Sequence, residues 1–291
     1  MRDFSLLSFF RSLTNAHIQL EMKHLLSVAL IIATAVTAFS TGQTTEKIND
    51  NGISKGMTAC LLETDSISFS KLKERIPKKM VSTALWRGYL GHWKIKNDSL
   101  FLDSILIKDI TSDTVRFIPA MIDDIYAAHR TPSGYFADWV TDTVRIVSGN
   151  LVYYRHMGWQ SYWENEEFVS VKDGLIKDRT VYKNQVINPV NKDGAWLKRA
   201  IDSLDLGFIP KTILLRVGCQ SFDEKGNPTE YNVKVVRSCG DTIIDNRAVR
   251  AMKNSTIIRR LVPVYYVRGQ YMSQDWDIPI HRNCNPRTIS N

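Results

Sequence analysis

The sequence predicts an α+β protein, with a mainly antiparallel β domain over residues 57–185 followed by a β-β-α-β domain over residues 195–283. Three observations predict it. Up to about residue 185, short runs rich in Val, Ile, Tyr, Phe and Trp alternate with turn residues. Past a polar linker, a long hairpin pattern gives way to a run with apolar residues at helical spacing. The chain then returns to short apolar strands that end near Ile280.

In the first domain, three hairpins are marked by residues that accept positive φ at little cost. WKIKNDSLFLDSILI turns at Asn97 and Asp98, VRIVSGNLVYYRH at Gly149 and Asn150, and FVSVKDGLIKD at Asp173 and Gly174. Five of the seven Trp lie here: Trp86, Trp93, Trp139, Trp159 and Trp163. Large aromatic side chains in a β-rich segment fill the core, so most of the five are expected inside. Trp159 and Trp163 are the expected exposed pair, because HMGWQSYWENEE is polar around them. The carboxylates of Asp123, Asp124, Glu164, Glu166 and Glu167 are read as solvated charge, since adjacency in sequence does not set two acids across a bond.

The linker spans residues 186–194, where Pro189 and Gly194 punctuate a polar stretch. AWLKRAIDSLDLGF then carries Leu197, Ala200, Ile201 and Leu204 at helical spacing, and Gly207 closes the segment. TILLRVGCQSFDEKGNPTEYNVKVVRS folds on itself if its turn is centred on 223–227. Cys219 then faces Tyr231, Val217 faces Val233 and Leu215 faces Val235, bringing apolar residues together on one side. SCGDTIIDNRAVRAMKNS follows as a helix. Asp241 caps it, Asp245 favours its positive end, and Ile244, Ala248, Ala251 and Met252 form the inward stripe. Arg247, Arg250 and Lys253 are left as its solvated back.

Near the N-terminus, MKHLLSVALIIATAVTAFSTGQ has the order of a secretory signal: charged start, apolar centre, small residues at the end. The apolar run from Leu25 to Phe39 is shorter than the ~20 residues of a spanning helix. Residues 1–40 are therefore expected to be removed, with Met22 as an alternative start and cleavage after Ser40. Residues 41–56 are expected to be a flexible leader, and residues 284–291 a tail.

Composition narrows the function. Of 291 residues, 44% are hydrophobic and 23% charged, which suits a soluble globular chain. The net charge of +8 is spread without a run of five like charges, unlike the concentrated basic face of a nucleic-acid reader, so no nucleic-acid partner is expected. Cys60, Cys219, Cys239 and Cys284 form no CxxC spacing, so no metal and no cofactor is expected, and their pairing stays open. Ser238, Cys239 and Gly240 lack the frame of a nucleophile elbow, and no catalytic residue is assigned.

Several segments carry a resemblance. DEKGNPTEYNVKVVRSCGD, then Asp245 with Ala248, then Pro263 and the closing DIPI of 277–280, occur in the order and spacing of the C-terminal domain of TonB. Residues 195–283 resemble that family, whose members transmit inner-membrane energy to outer-membrane transporters. The resemblance implies a module that offers a sheet edge to an extended peptide, with Trp276, Asp277, Ile278, Pro279 and Ile280 as the pairing strand and Arg268 as a helper. An energy transducer keeps its N-terminal membrane helix and a Pro-rich spacer, and this chain's cleavable-looking signal and nine Pro depart from that pattern, so direct energy transduction is not expected. The expectation is thus a non-enzymatic, exported protein of the periplasm or envelope, meeting an outer-membrane transporter or another envelope protein through a peptide. Membrane contact is expected only peripherally or through an uncleaved N-terminal segment. Two alternatives stay open. One is an exported enzyme or glycan binder using His129, His156, Trp159, Trp163 and Glu164, and the other is a structural part of an envelope assembly.

Overall fold

The computed structural model describes residues 42–77, 82–109, 116–156, 158–189, 194–204 and 206–281. The expected signal segment and the whole of the tail, Cys284 included, lie outside the described residues. The strands in chain order are β1 (Glu46–Asp50), β2 (Ile53–Met57), β3 (Tyr89–Lys96), β4 (Ser99–Lys108), β5 (Phe117–Pro119), β6 (Arg130–Thr131), β7 (Gly134–Phe136) and β8 (Asp142–Tyr153). They continue as β9 (Tyr162–Lys172), β10 (Leu175–Lys183), β11 (Gln185–Asn188), β12 (Ile213–Phe222), β13 (Pro228–Arg237), β14 (Val264–Val267), β15 (Gln270–Ser273) and β16 (Trp276–Ile280). The α-helices are α1 (Ser66–Arg75), α2 (Gly194–Asp202), α3 (Thr242–Asn254) and α4 (Ile258–Leu261).

This corrects the α+β expectation. Sixteen strands stand against four α-helices among the described residues, and ten of the strands belong to one large mixed sheet, so the chain is strand-dominated. The sheet is mixed because residues 41–56 do not form a flexible leader throughout. Residues 46–57 fold into the β1–β2 hairpin, and β1 pairs parallel to β3, with Ile48 beside Trp93. β1 looks polar in sequence, yet its alternation turns Glu46, Ile48 and Asp50 inward.

Two compact units share the chain. Of the described residues, the first comprises those within 42–144, 154–161 and 170–178, and the second those within 145–153, 162–169 and 179–281. In the first unit the strands run β2-β1-β3-β4-β7-β6, with β5 on the β4 edge. Asn97 and Asp98 both have positive φ, as does the Asp173–Gly174 pair, so those two tight turns form where the sequence marks them. Gly149 makes no hairpin. β8 runs straight through it, and its φ of +81° bends the strand while the Asn150 amide donates to Glu164 Oε2 at 2.9 Å. Of the tryptophans, Trp93 is buried; Trp159 and Trp163 are half-buried, and the exposed one is Trp86.

The second unit holds two three-stranded sheets, β13-β12-β16 and β11-β14-β15. β12 and β13 pair in the register set by their apolar residues, Cys219 opposite Tyr231, Val217 opposite Val233 and Leu215 opposite Val235. On its other side β12 takes β16, with Leu215 opposite Ile278 and Ile213 opposite Ile280. Leu215, Val217, Val233, Ile278 and Ile280 close a core with Ala248 and Met252 of α3 and with Ile201 of α2. The segment after α3 does not join this sheet directly. Val264–Ser273 first makes the β14–β15 hairpin, which turns at Arg268 and Gly269, both at positive φ.

α3 starts where Asp241 stops the strand-side chain. Its carboxylate accepts from the amides of Ile243 (2.8 Å) and Ile244 (3.3 Å), two donors that the first turn leaves unpaired. Arg247 is half-buried and donates to the Phe208 carbonyl, so it is not part of the solvated back. Replacing the cap, Asp241→Ala, is expected to destabilise the fold by about 1 kcal/mol. A shift of the urea midpoint with unchanged slope would show it.

Candidate functional site

β16 lies at one end of its three-stranded sheet, so one side of its backbone pairs with β12 and the other faces no strand of that sheet. Side chains alternate along it. Ile278 and Ile280 point into the core, whereas Asp277 and Pro279 are exposed and Trp276 is half-buried. Proline has no N–H, and it is tolerated in a sheet where the missing donor faces the open side. Asp277 lies two residues from Pro279 and turns its amide and carbonyl the same way. The rim therefore presents one donor and one acceptor at Asp277 and one acceptor at Pro279.

The Asp277 side chain is already engaged. Arg216, its neighbour across the register, donates from Nε to Oδ1 at 2.7 Å and from Nη2 to Oδ2 at 2.8 Å. That fork holds the Asp277 carboxyl below the usual carboxylate range. Because both residues are open to water, the pair orients the side chain away from the rim more than it stabilises the sheet.

A groove of about 170 Å³ adjoins the end of the strand, lined by Leu197, Lys198, Ile201 and Asp202 of α2 with Pro279 and His281. Its lining combines the apolar Leu197, Ile201 and Pro279 with Lys198, Asp202 and His281. Sequence reading assigned the α2 residues to helix packing alone. The amphipathic spacing that predicts α2 does not reveal that one turn of it would flank the sheet edge.

Arg268 is not brought to this rim. It occupies the β14–β15 turn, and its guanidinium donates from Nε to Glu166 Oε2 at 2.7 Å. The guanidinium also lies over the rings of Tyr162 and Phe168, at 4.9 Å and 4.7 Å. Glu166 is fully buried, which overturns the expectation that it is solvated. Its Oε1 accepts from Arg145 Nη2 at 2.5 Å and from the Trp163 amide at 3.1 Å, so both oxygens are met by donors. The side chain of Asn184 completes the clasp, accepting from the Arg268 amide at 2.9 Å and donating to the Trp163 carbonyl at 2.7 Å.

The residues proposed for an N-terminal ligand site divide between the units. His156 and Trp159 belong to the first, and Trp163 and Glu164 to the second. His156 is exposed, with Nδ1 2.8 Å from the Tyr154 hydroxyl. The guanidinium of Arg87 lies 5.2 Å from the Trp159 ring centroid, and the indole N–H donates to the Thr44 carbonyl at 3.4 Å. Glu164 accepts from both the backbone and the side chain of Asn150, which hold its carboxyl below the ordinary range. His129, the other imidazole considered, has Nδ1 2.7 Å from Asp138 Oδ1 and packs edge-on against Trp139.

Among the described residues no three His, Cys, Asp or Glu side chains gather as metal ligands, and Cys60, Cys219 and Cys239 are free thiols. No described helix is long and apolar enough to cross a membrane. Comparison with protein-family models, with curated proteins and with solved structures finds no match to this chain.

Removing the buried carboxylate from the clasp leaves the Arg145 and Arg268 guanidinium groups without the anion that pairs them. Glu166→Ala is therefore expected to cost about 3 to 5 kcal/mol in denaturant unfolding. Asp277→Ala, which removes only an exposed partner, is expected to leave the midpoint nearly unchanged.

Proposed function

We propose that the protein is a non-enzymatic binding protein of the periplasm or cell envelope, whose C-terminal module, TonB-like in its motifs, docks an extended peptide by adding it to the β16 edge. The partner is an outer-membrane transporter or another envelope protein that presents such a segment. The observation that supports the reading is the position of β16. It is paired on one side, faces no strand of its sheet on the other, and is backed by a buried core through Ile278 and Ile280. An edge of this kind recognises backbone, so affinity comes from main-chain hydrogen bonds and selectivity from the side chains that flank them. The groove between α2 and Pro279 supports the same reading, because a strand laid along the rim passes beside it. Its volume is close to that of a dry cavity large enough for benzene, so it suits one bulky apolar side chain of the peptide.

A second reading, an exported enzyme or glycan binder, has the His129–Asp138 pair in its favour, since a carboxylate-oriented imidazole is the core of many acid–base sites. It ranks second because the aromatic rings of Tyr126 and Trp139 fill the space beside the imidazole.

Titration of the purified chain with extended peptides from outer-membrane transporters tests the first reading, read by the part of the tryptophan fluorescence change that is lost in Trp276→Phe. Binding is expected at or below millimolar concentration. Asp277→Pro, which deletes the rim's amide donor, is expected to abolish it, while Asp277→Ala, which keeps the amide, is expected to retain it. Equal binding by both variants, or no binding at millimolar peptide, counts against edge docking.

A further inference from the structure

A second carboxylate is as deeply buried as Glu166 and is held quite differently. Glu46 opens β1 in the first unit and has no exposed surface. One of its oxygens, Oε2, accepts from the Trp93 indole at 2.6 Å, and the other, Oε1, has no hydrogen-bond partner. The nearest cation is Arg87, whose side chain is 1% exposed and whose Nε stands 3.7 Å from Oε1, too far to donate. Nε and Nη1 of Arg87 are likewise without acceptors, and Nη2 is spent on the Thr44 carbonyl at 2.8 Å. The faces of Tyr89 and Trp159 take up the rest of the guanidinium, at 5.5 Å and 5.2 Å.

The pocket around the acid is closed. At Gly91 on the adjacent strand β3, a Cβ would fall 2.5 Å from both Glu46 Oε2 and the Trp93 indole nitrogen, so the strand can pass there only as glycine. An ionised carboxylate needs several donors to replace the water it gives up. Glu46 has far fewer than the saturated Glu166. A protonated acid fits better, since it can accept from Trp93 and carries no charge to solvate.

From this arrangement we infer that Glu46, Arg87 and Trp93 form a buried proton-binding site that adjusts how firmly the start of β1 is held in the first unit. The titratable groups that face Glu46 are Arg87, Glu63, Cys60, Tyr89 and Tyr126. Glu63 accepts from the Tyr89 hydroxyl at 3.1 Å and adds negative potential, which also favours the neutral acid. Burial, opposed by Arg87, Trp93 and, more weakly, the Gly91 backbone, pushes the Glu46 carboxyl from 4.5 up to about 7. Burial likewise pushes the Cys60 thiol up to about 12, which leaves it protonated and silent in the neutral range.

The sign of the effect follows. Between those two values of the Glu46 carboxyl the folded chain binds a proton that the unfolded chain has released, so stability is greater at low pH and declines as pH rises through about 7. When the proton leaves, the carboxylate attracts the Arg87 guanidinium, which otherwise ties down the Thr44 carbonyl just ahead of β1. The Trp159 indole also donates to the Thr44 carbonyl, and the amide of Thr44 and the side chain of Gln43 hold the same stretch to the carbonyls of Ala84 and Thr83, so the proton loosens one of several straps.

Two measurements on the whole chain test this. The thermal midpoint of the wild type is expected to fall between about pH 5 and about pH 8, and the part of that fall that is due to Glu46 is expected to vanish in Glu46→Gln, which cannot ionise. An identical slope in the two proteins would overturn the inference. Should the variant fail to fold, the Trp93 indole N–H resonance of the wild type decides. It is expected to titrate with a midpoint near 7, and a signal that moves only below about pH 5, or not at all, would overturn the inference.

Discussion

Every feature of the proposed docking edge depends on β12 being paired on both sides. Residues 213–217 hydrogen-bond with β16 while the same strand holds β13, so the middle of the sheet is closed and its two rims are fixed as β13 and β16. The core pattern sets this order. Ile213, Leu215 and Val217 bury one face against α3, and only a partner with Ile278 and Ile280 in matching phase can sit beside them without exposing apolar surface. A slip of one residue would move Asp277 and Pro279 into the core, so the open edge and its chemistry share one register.

The two buried glutamates show how different the same side chain can be. Glu166 has donors on both oxygens from two arginines and a backbone amide, and it draws together strands far apart in sequence. A carboxylate with donors on both oxygens ties those strands together within the second unit. Glu46 meets one indole and an arginine beyond bonding distance. The first is a clasp and the second the proposed proton-binding site, a contrast that follows from donor geometry and not from burial, which is complete in both.

Much of the second unit was legible because its signals are local. The β12–β13 register follows from facing apolar residues and the start of α3 from Asp241. The Gly149 bulge was hidden, because a glycine beside an asparagine marks a hairpin and a bent strand equally well. The polar run at 46–57 concealed a hairpin whose inward residues include Glu46 and Asp50, and the parallel partner that holds it lies some forty residues away at β3. Burial of Glu166 was hidden for a related reason. It falls out of phase with Val169 and Val171 on the same strand, so no simple alternation points it inward. Helix content was overweighted because α3 carries the clearest single motif, whereas strand pairs formed at long range leave little trace in any short window.

Amide hydrogen exchange at Asp277, read by NMR on the full chain with and without a bound extended peptide, tests the edge most directly. Peptide addition at β16 predicts that the Asp277 amide becomes strongly protected while the amides of β13 keep their rates. Unchanged exchange at Asp277, or new protection along β13 instead, would contradict the account.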